Sequence, residues 1–316
     1  MILVTGANGF VGSALVNNLA KNKTNVKIIS VVRKNTKSWP DLVKVITIKD
    51  YNDQSRWKEA LHNVSVVIHC AARVHVLNDA LSDEERLDAY RKINVSNTLN
   101  IAKQAVLSGV RRFIFVSSIK VNGELTKNGE QFKFDDIPNP VDFYGLSKME
   151  AEIGLRQISE KTGLEVVIIR PPLVYGPNVK GNFSTMKQWV SYGIPLPFGN
   201  IQNTRSLVAL DNLIHLLELC VVHPSAANRT FLVSDCDNVS TTVLLLRLSK
   251  SMGKKLLLLR IPVFWLILGA KLIGKKEISN RLFESLEIDV SETQRVLGWQ
   301  PVISMEKALE QMAQDL

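Results

Sequence analysis

Tyr144 and Lys148 stand four residues apart in Tyr144-Gly-Leu-Ser-Lys148, a spacing that puts a phenol and an ammonium on one face of a helix. A phenol ordinarily loses its proton near pH ~10, and a neighbouring ammonium favours the phenolate. The Ser117-Ser118 pair closes an apolar run upstream and can offer a hydroxyl to the same substrate oxygen. Such a set can move a proton on or off an alcohol oxygen while another group handles a hydride. Tyrosine and lysine at this spacing also occur on ordinary amphipathic helices, so the chemistry requires a hydride carrier elsewhere in the chain.

The start of the chain offers a place for one. Ile2 to Thr5 reads as a short buried strand, and Gly6-Ala-Asn8-Gly9-Phe10-Val11-Gly12 follows it and opens an apolar-periodic helix over Ser13 to Ala20. Strand, glycine turn and helix form the context of a dinucleotide-binding fingerprint. The glycines let the backbone approach a pyrophosphate, and the helix N-terminus offers unpaired N–H groups. No Gly-Lys-Ser/Thr closes the loop, which argues against a Walker-type nucleotidase. The second strand, Val26 to Val32, runs into Arg33-Lys34, with no carboxylate between Val26 and Thr36. A basic residue there suits a 2′-phosphate, so the sequence favours NADP(H), with NAD(H) as the alternative.

These residues need a scaffold, and the pattern supplies it. Further strands are read at Val43 to Ile48, from Val64 to the Cys70-Ala71-Ala72 segment, at Phe113 to Ser117 and at Glu165 to Arg170; a helix is read over roughly Asp83 to Ser108. Strands alternating with helices predict an α/β fold, a doubly wound parallel sheet of Rossmann type. Asp50, after the third strand, can accept from an adenine amino group. Arg170-Pro171-Pro172 cannot continue a ladder, so the chain leaves the sheet there. The expected division is a dinucleotide-binding domain over 1–170, with return segments near 204–234, and a smaller C-terminal α/β substrate lobe over 171–316. His69 and His75 lie near the expected pocket but make poor candidates for a catalytic base.

In order, Gly6-x-x-Gly9-x-x-Gly12, Asp50, Cys70-Ala-Ala72, Asn94, Ser117-Ser118 and Tyr144-x-x-x-Lys148 resemble the extended short-chain dehydrogenase/reductases, in their nucleotide-sugar epimerase/dehydratase branch. The resemblance implies Tyr144 as acid/base, Lys148 as the group that lowers its pKa and holds the nicotinamide ribose, and Ser118 as the ligand of the reacting oxygen. Asn94 would support the helix carrying the site. Asn8, Phe10, Val11, Tyr51, Ala71, Ala72, Asn94, Ser117 and Pro171 complete the expected cofactor contacts. Lys120, Asn122, Asn182 and Arg205 join Ser118 and Tyr144 as expected substrate contacts, the forked donors of Arg205 suiting a diphosphate.

The implied chemistry is hydride transfer at C4 of a UDP-hexose or UDP-N-acetylhexosamine. The preferred reading is reduction of a UDP-4-keto-6-deoxy-N-acetylhexosamine to a 6-deoxy amino sugar for surface polysaccharide; a 4-epimerase is the alternative. Ile119 and Lys120, where the 4,6-dehydratases place an acidic pair, argue against dehydration, and Val121-Asn122-Gly123 departs from the Val-Tyr-Gly of many epimerases. A non-catalytic nucleotide-sensing scaffold is the reading from another class; retention of serine, tyrosine and lysine speaks against it. A homodimer is implied by the family.

The 316 residues, 46% hydrophobic and 22% charged, describe an ordinary globular protein. Met1-Ile-Leu-Val-Thr5 shows no basic stretch or cleavage site, so a cytoplasmic location is expected. Cys70, Cys220 and Cys236 have neither metal-ligand nor paired spacing, and are expected as reduced thiols in or near the core, with no metal site. The net charge of +9 is concentrated in 241–281, where nine cations face one anion, Glu277. That segment contains the apolar run from Val263 to Ile273. It reads either as a helix packing the small lobe or as a cationic amphipathic helix resting on anionic lipid at the inner face of the membrane. No reading helix or aromatic platform accompanies the charge, so nucleic acid is not an expected partner.

Overall fold

Short runs such as Ile2-Leu-Val-Thr5 and Val66-Val-Ile-His69 are buried at every position, the pattern of strands covered on both faces. A computed structural model describes residues 1–22, 26–74, 81–127, 129–272 and 282–314, with side chains described at all of these except 182 and 269–272. Its main sheet runs, from edge to edge, β3 (Val43–Thr47), β2 (Ile28–Val32), β1 (Ile2–Thr5), β4 (Val66–His69), β5 (Arg112–Val116), β6 (Glu165–Arg170) and β9 (Arg229–Leu232). Every pairing is parallel. The strand order reverses between β1 and β4, which opens a crevice at the carboxyl ends of the strands.

Helices cover both faces. On one, α1 (Phe10–Asn22) and α7 (Leu210–Val222) bury Leu15, Leu19, Leu213 and Leu217 against Val4, Ile68 and Phe231. On the other, α2 (Gln54–Ala60), α4 (Asn97–Leu107) and α5 (Phe143–Thr162) pack Trp57, Ile101, Ala151 and Leu155 onto Leu3, Val67 and Phe115. Full burial of each leucine, isoleucine, valine or phenylalanine among them is worth about 1.5–3 kcal/mol.

The helix read as continuous from Asp83 to Ser108 is interrupted. α3 (Asp83–Tyr90) starts at a capping box between Ser82 and Glu85, passes into a π-helical turn over Arg91–Ser96 and continues as α4. The wider turn inserts an extra residue into the helical ladder, and buried Asn94 lies within it.

After β6 the prolines end the main-sheet ladder as expected. β7 (Leu173–Tyr175) pairs in parallel with β8 (Leu207–Ala209) as a separate two-stranded sheet. The small lobe also contains α6 (Asn182–Ser191), α8 (Thr241–Ser251) and α9 (Val263–Leu272), before α10 (Ser291–Leu297) and α11 (Met305–Ala313) near the C-terminus. Asn212 on α7 joins the parts: its Nδ2 donates to Asp235 Oδ1 at 2.7 Å and to the Ile303 carbonyl at 3.0 Å, and its Oδ1 accepts from the N–H of Val302. Asp235 also accepts from the Tyr175 hydroxyl at 2.6 Å. No helix among the described residues is long and apolar enough to cross a membrane.

Candidate active site

β1 delivers the chain into Gly6 at φ +67°, where a Cβ would come within 2.6 Å of the Ala71 backbone nitrogen. The Gly9 N–H donates to the Gly6 carbonyl at 2.8 Å, and α1 begins at Phe10, one turn earlier than the sequence pattern indicates. A Cβ on Gly12 would strike the Gly6 carbonyl oxygen. Phe10 and Val11 rest their side chains against the core, leaving the N–H groups of the first turn to a ligand. Asn8 Nδ2 donates to the Lys34 carbonyl at 2.7 Å, tying the turn to the end of β2, while Asn8 Oδ1 is buried with no hydrogen-bond partner among the described residues.

The turn opens on a cavity of about 1000 Å³ lined by Gly6, Gly9, Arg33, Asp50, Tyr51 and Ala72, among others. A backbone cradle that side chains would fill, beside two exposed cations, fits a dinucleotide. Asp50 uses Oδ1 for the Asn52 N–H at 2.9 Å, within its own turn. The Tyr51 carbonyl accepts from Trp57 Nε1 and Asn100 Nδ2; burial raises the Tyr51 phenol and the Arg33 charge opposes this.

Across the crevice, α5 is capped by Asp142, whose Oδ1 accepts from the Gly145 N–H at 2.7 Å. The cap places Tyr144 in the first turn, its phenol beside the Ser118 side chain. Lys148, one turn on, is buried; its Nζ donates to the Val116 carbonyl at 2.7 Å, lies 4.3 Å from the Phe115 ring centroid and 6.0 Å from that of Tyr144. Burial pulls the Lys148 ammonium down from 10.5 to about 7, against opposing contributions from Cys70 and Glu152. Burial, followed by the Asp142 charge, pushes the Tyr144 phenol above its ordinary value, and the bond to Ser118 opposes the rise. The expected downward shift is therefore not what this arrangement gives: burial dominates, and the group that opposes it is Ser118.

Asn94 is positioned by the π-turn. Its Oδ1 accepts from the Arg73 N–H at 2.7 Å, and its Nδ2 donates to the Arg73 carbonyl at 3.0 Å and to Ser147 Oγ at 2.9 Å. It thus links the loop after β4 to the helix bearing Tyr144 and Lys148. Ser117, read as a cofactor contact, instead donates through Oγ to Glu152 Oε1 at 2.5 Å. Glu152 is held by buried Arg170 through both oxygens, at 3.0 and 2.6 Å. This pair was not anticipated from the sequence, although Glu152 extends the four-residue spacing of Tyr144 and Lys148.

The expected substrate contacts are less well gathered. Asn122 is buried, its Oδ1 accepting from Arg170 Nη1 at 2.9 Å and its Nδ2 donating to the Lys133 carbonyl at 2.7 Å. Lys120 Nζ is engaged by Glu124 at 2.6 Å and by Asp142, so its charge steadies the α5 cap. Arg205 Nη1 donates to the Glu284 carbonyl at 3.0 Å, at the wall of a second cavity of about 720 Å³. Asn182 is the first residue of α6; its side chain lies outside the described residues, as do His75 and, in the basic segment, Lys275, Lys276, Glu277 and Arg281. The Pro171 carbonyl accepts from the Ile119 N–H at 2.9 Å, locking the Ser118 loop to the chain's exit from β6.

His69 is held between Thr5 Oγ1 at 2.7 Å and Thr98 Oγ1 at 2.9 Å, and burial lowers it to about 3, a neutral structural imidazole. The three cysteines are unpaired; Cys70 is partly buried and Cys220 buried, whereas Cys236 is exposed, contrary to its expected place near the core. Among the described residues no cluster of side chains could hold a metal ion.

Comparison with known proteins agrees with this geometry. The profile described as NAD dependent epimerase/dehydratase family matches residues 2–257. A Vibrio cholerae protein named UDP-glucose 4-epimerase is 46% identical over 314 residues, covering 99% of this chain and 94% of the relative. An Escherichia coli O157:H7 protein named N-acetyl-alpha-D-glucosaminyl-diphospho-ditrans,octacis-undecaprenol 4-epimerase is 25% identical over 87% of this chain and 81% of its own. Among solved structures, UDP-glucuronic acid 4-epimerase from Bacillus cereus in complex with NAD superposes with a TM-score of 0.79 at 20% identity, covering 99% and 97% of the two chains.

Proposed function

The chain belongs to the NAD dependent epimerase/dehydratase family, and on that premise we propose that it is an oxidoreductase acting at C4 of a UDP-hexose or UDP-N-acetylhexosamine, working as a 4-epimerase. The observation that carries the reading is the meeting of Tyr144, Ser118 and Lys148 at the carboxyl end of the sheet, near the glycine turn. The 46% identical relative named UDP-glucose 4-epimerase supports the epimerase form.

Gly6, Gly9 and the first turn of α1 would hold the pyrophosphate of a nicotinamide dinucleotide, Arg33 and Asp50 its adenosine half, and Lys148 its nicotinamide ribose. When bound, that group would supply the hydride acceptor and donor for the sugar carbon. Tyr144 handles the accompanying proton: the phenolate takes it from the C4 hydroxyl as the carbonyl forms, and the phenol gives it back as the carbonyl is reduced. Ser118 holds the same oxygen in line, and its hydroxyl opposes the rise that burial imposes on the phenol. Inversion at C4 would require the keto sugar to present its opposite face before the carbonyl is reduced.

A second reading, reduction of a UDP-4-keto-6-deoxy-N-acetylhexosamine by NADPH, is favoured by one observation. Arg33 and Lys34 are exposed at the end of β2, line the cavity, and have no carboxylate in the same stretch. The test is to incubate the purified protein separately with UDP-glucose, UDP-N-acetylglucosamine and the 4-keto sugar, with NAD⁺, NADH or NADPH. Products are separated and nicotinamide absorbance is followed. Interconversion at C4 without net change in the nicotinamide supports the epimerase; stoichiometric oxidation of NADPH by the keto sugar alone replaces it with the reductase. Cofactor binding with no turnover of any sugar would leave the scaffold reading.

A further inference from the structure

The basic segment is not absorbed by this chemistry. From Asn238 to Lys276 the sequence has no aspartate or glutamate. Within it the chain sorts its apolar side chains. Leu256, Leu258, Val263 and Leu266 turn inward onto the small-lobe core, while Leu257, Leu259, Phe264, Trp265, Ile267 and Leu268 face solvent. Phe264 is 68% and Trp265 60% exposed, their rings edge to face at 5.6 Å. A scattered surface leucine needs no explanation, but six large apolar side chains within twelve residues do.

The backbone holds this surface in place. The Leu257 carbonyl accepts from the Leu196 N–H at 3.0 Å, the Leu259 N–H donates to the Leu196 carbonyl at 2.8 Å, and the Trp265 N–H donates to the Pro262 carbonyl at 3.1 Å. Lys254, Lys255 and Arg260 are exposed on the same stretch and pair with no carboxylate among the described residues. α9 has ten residues, about 15 Å of helix, against the ~30 Å of a bilayer core. It is long enough to lie on a membrane and too short to cross one.

We propose that this face docks on the surface of an anionic bilayer, with Phe264 and Trp265 at the boundary between headgroups and acyl chains and Lys254, Lys255 and Arg260 against lipid phosphates. Charge selects the occupant. A second copy meeting this face with its own would set like charges against each other, whereas anionic lipid complements both the cations and the aromatic rings. Val263, at the start of α9, also lines the 720 Å³ cavity beside Arg205, so docking holds that opening near the lipid surface. The docking does not depend on which sugar reaction the enzyme performs.

The test is sedimentation of the full chain with vesicles of phosphatidylcholine alone or of phosphatidylcholine and phosphatidylglycerol in equal parts, with and without high salt. Binding should be roughly tenfold or more stronger to the anionic vesicles and should weaken in salt. Phe264→Ser with Trp265→Ser should reduce it about tenfold or more while leaving the melting temperature and the turnover of a water-soluble UDP-sugar unchanged. Trp265→Phe, a milder change, should abolish the blue shift of tryptophan fluorescence on adding anionic vesicles. Equal binding to both vesicle types, no binding at low salt, or binding indifferent to the double substitution overturns the proposal. Self-association in solution that the double substitution abolishes would assign the face to a second copy and likewise overturn it.

Discussion

Arg170 grips Glu152 through both carboxylate oxygens inside the protein, and neither side chain has appreciable contact with solvent. The same carboxylate takes the Ser117 hydroxyl, and it lies one helical turn beyond Lys148, whose positive charge it favours. A structural ion pair thus bears on the charge state of the lysine beside the phenol.

Breaking that pair should register in both stability and pH dependence. Glu152→Gln removes one partner of a buried pair, which typically costs about 3–5 kcal/mol, and takes away a charge that raises Lys148. The ammonium should then be lost at lower pH, so the alkaline fall of kcat/KM should move downward. Urea unfolding and a pH–rate profile measure the two effects; a destabilised enzyme with an unmoved profile would confine Glu152 to structure.

Tyr144→Phe should leave dinucleotide binding intact and reduce kcat by roughly 10²–10⁴, the range for loss of a positioned acid/base. Ser118→Ala should cost less, since the phenol keeps its position through the Asp142 cap. Steady-state kinetics beside equilibrium cofactor titration separate the two effects.

Lys148 is predicted to be held at the expense of stability. Its folded value of about 7 lies below the ordinary 10.5. Below pH 7 both states are protonated and the full burial penalty applies. Between pH 7 and 10.5 the unfolded chain keeps a proton that the folded one has lost, so the penalty fades as pH rises. Lys148→Met should therefore stabilise the protein by about 2 kcal/mol at pH 6.5, after allowance for the orphaned Val116 carbonyl. The gain should shrink by pH 9.5 while activity is lost. Denaturant midpoints at the two pH values provide the check.

Gly12→Ala should damage the cofactor site more than the fold. The new methyl meets the Gly6 carbonyl, and overpacking of this kind costs about 1–3 kcal/mol. Dinucleotide affinity should drop about tenfold or more, read by cofactor fluorescence, with the far-ultraviolet circular dichroism spectrum retained.

Much of this was legible in the chain. β6 falls at Glu165–Arg170, as read, because the apolar run from Val166 to Ile169, between Gly163 and Pro171, has few alternatives. The glycine turn and the spacing of Tyr144 and Lys148 are local codes, written in neighbouring residues and helical period. The π-turn at Asn94 was not legible, because one extra residue in a helical ladder leaves the apolar periodicity nearly intact. The internal partners of Asn122 and Lys120 were not legible for another reason. A polar side chain beside Ser118 can face the crevice or the protein, and residue type does not reveal which partners have already claimed its hydrogen bonds.

The sequence by itself determined the parallel α/β scaffold, the glycine turn and the placing of Tyr144 and Lys148 on one helix face, because each depends on spacing along the chain. Tertiary structure alone decided which polar groups were consumed internally: it brought Glu152 to Arg170, Ser117 to Glu152 and Lys120 to Asp142 across separate elements. It also decided how far burial moves Tyr144 and Lys148 from their ordinary values. Desolvation and long-range pairing depend on what surrounds a group in space, and that becomes fixed only when the chain has folded.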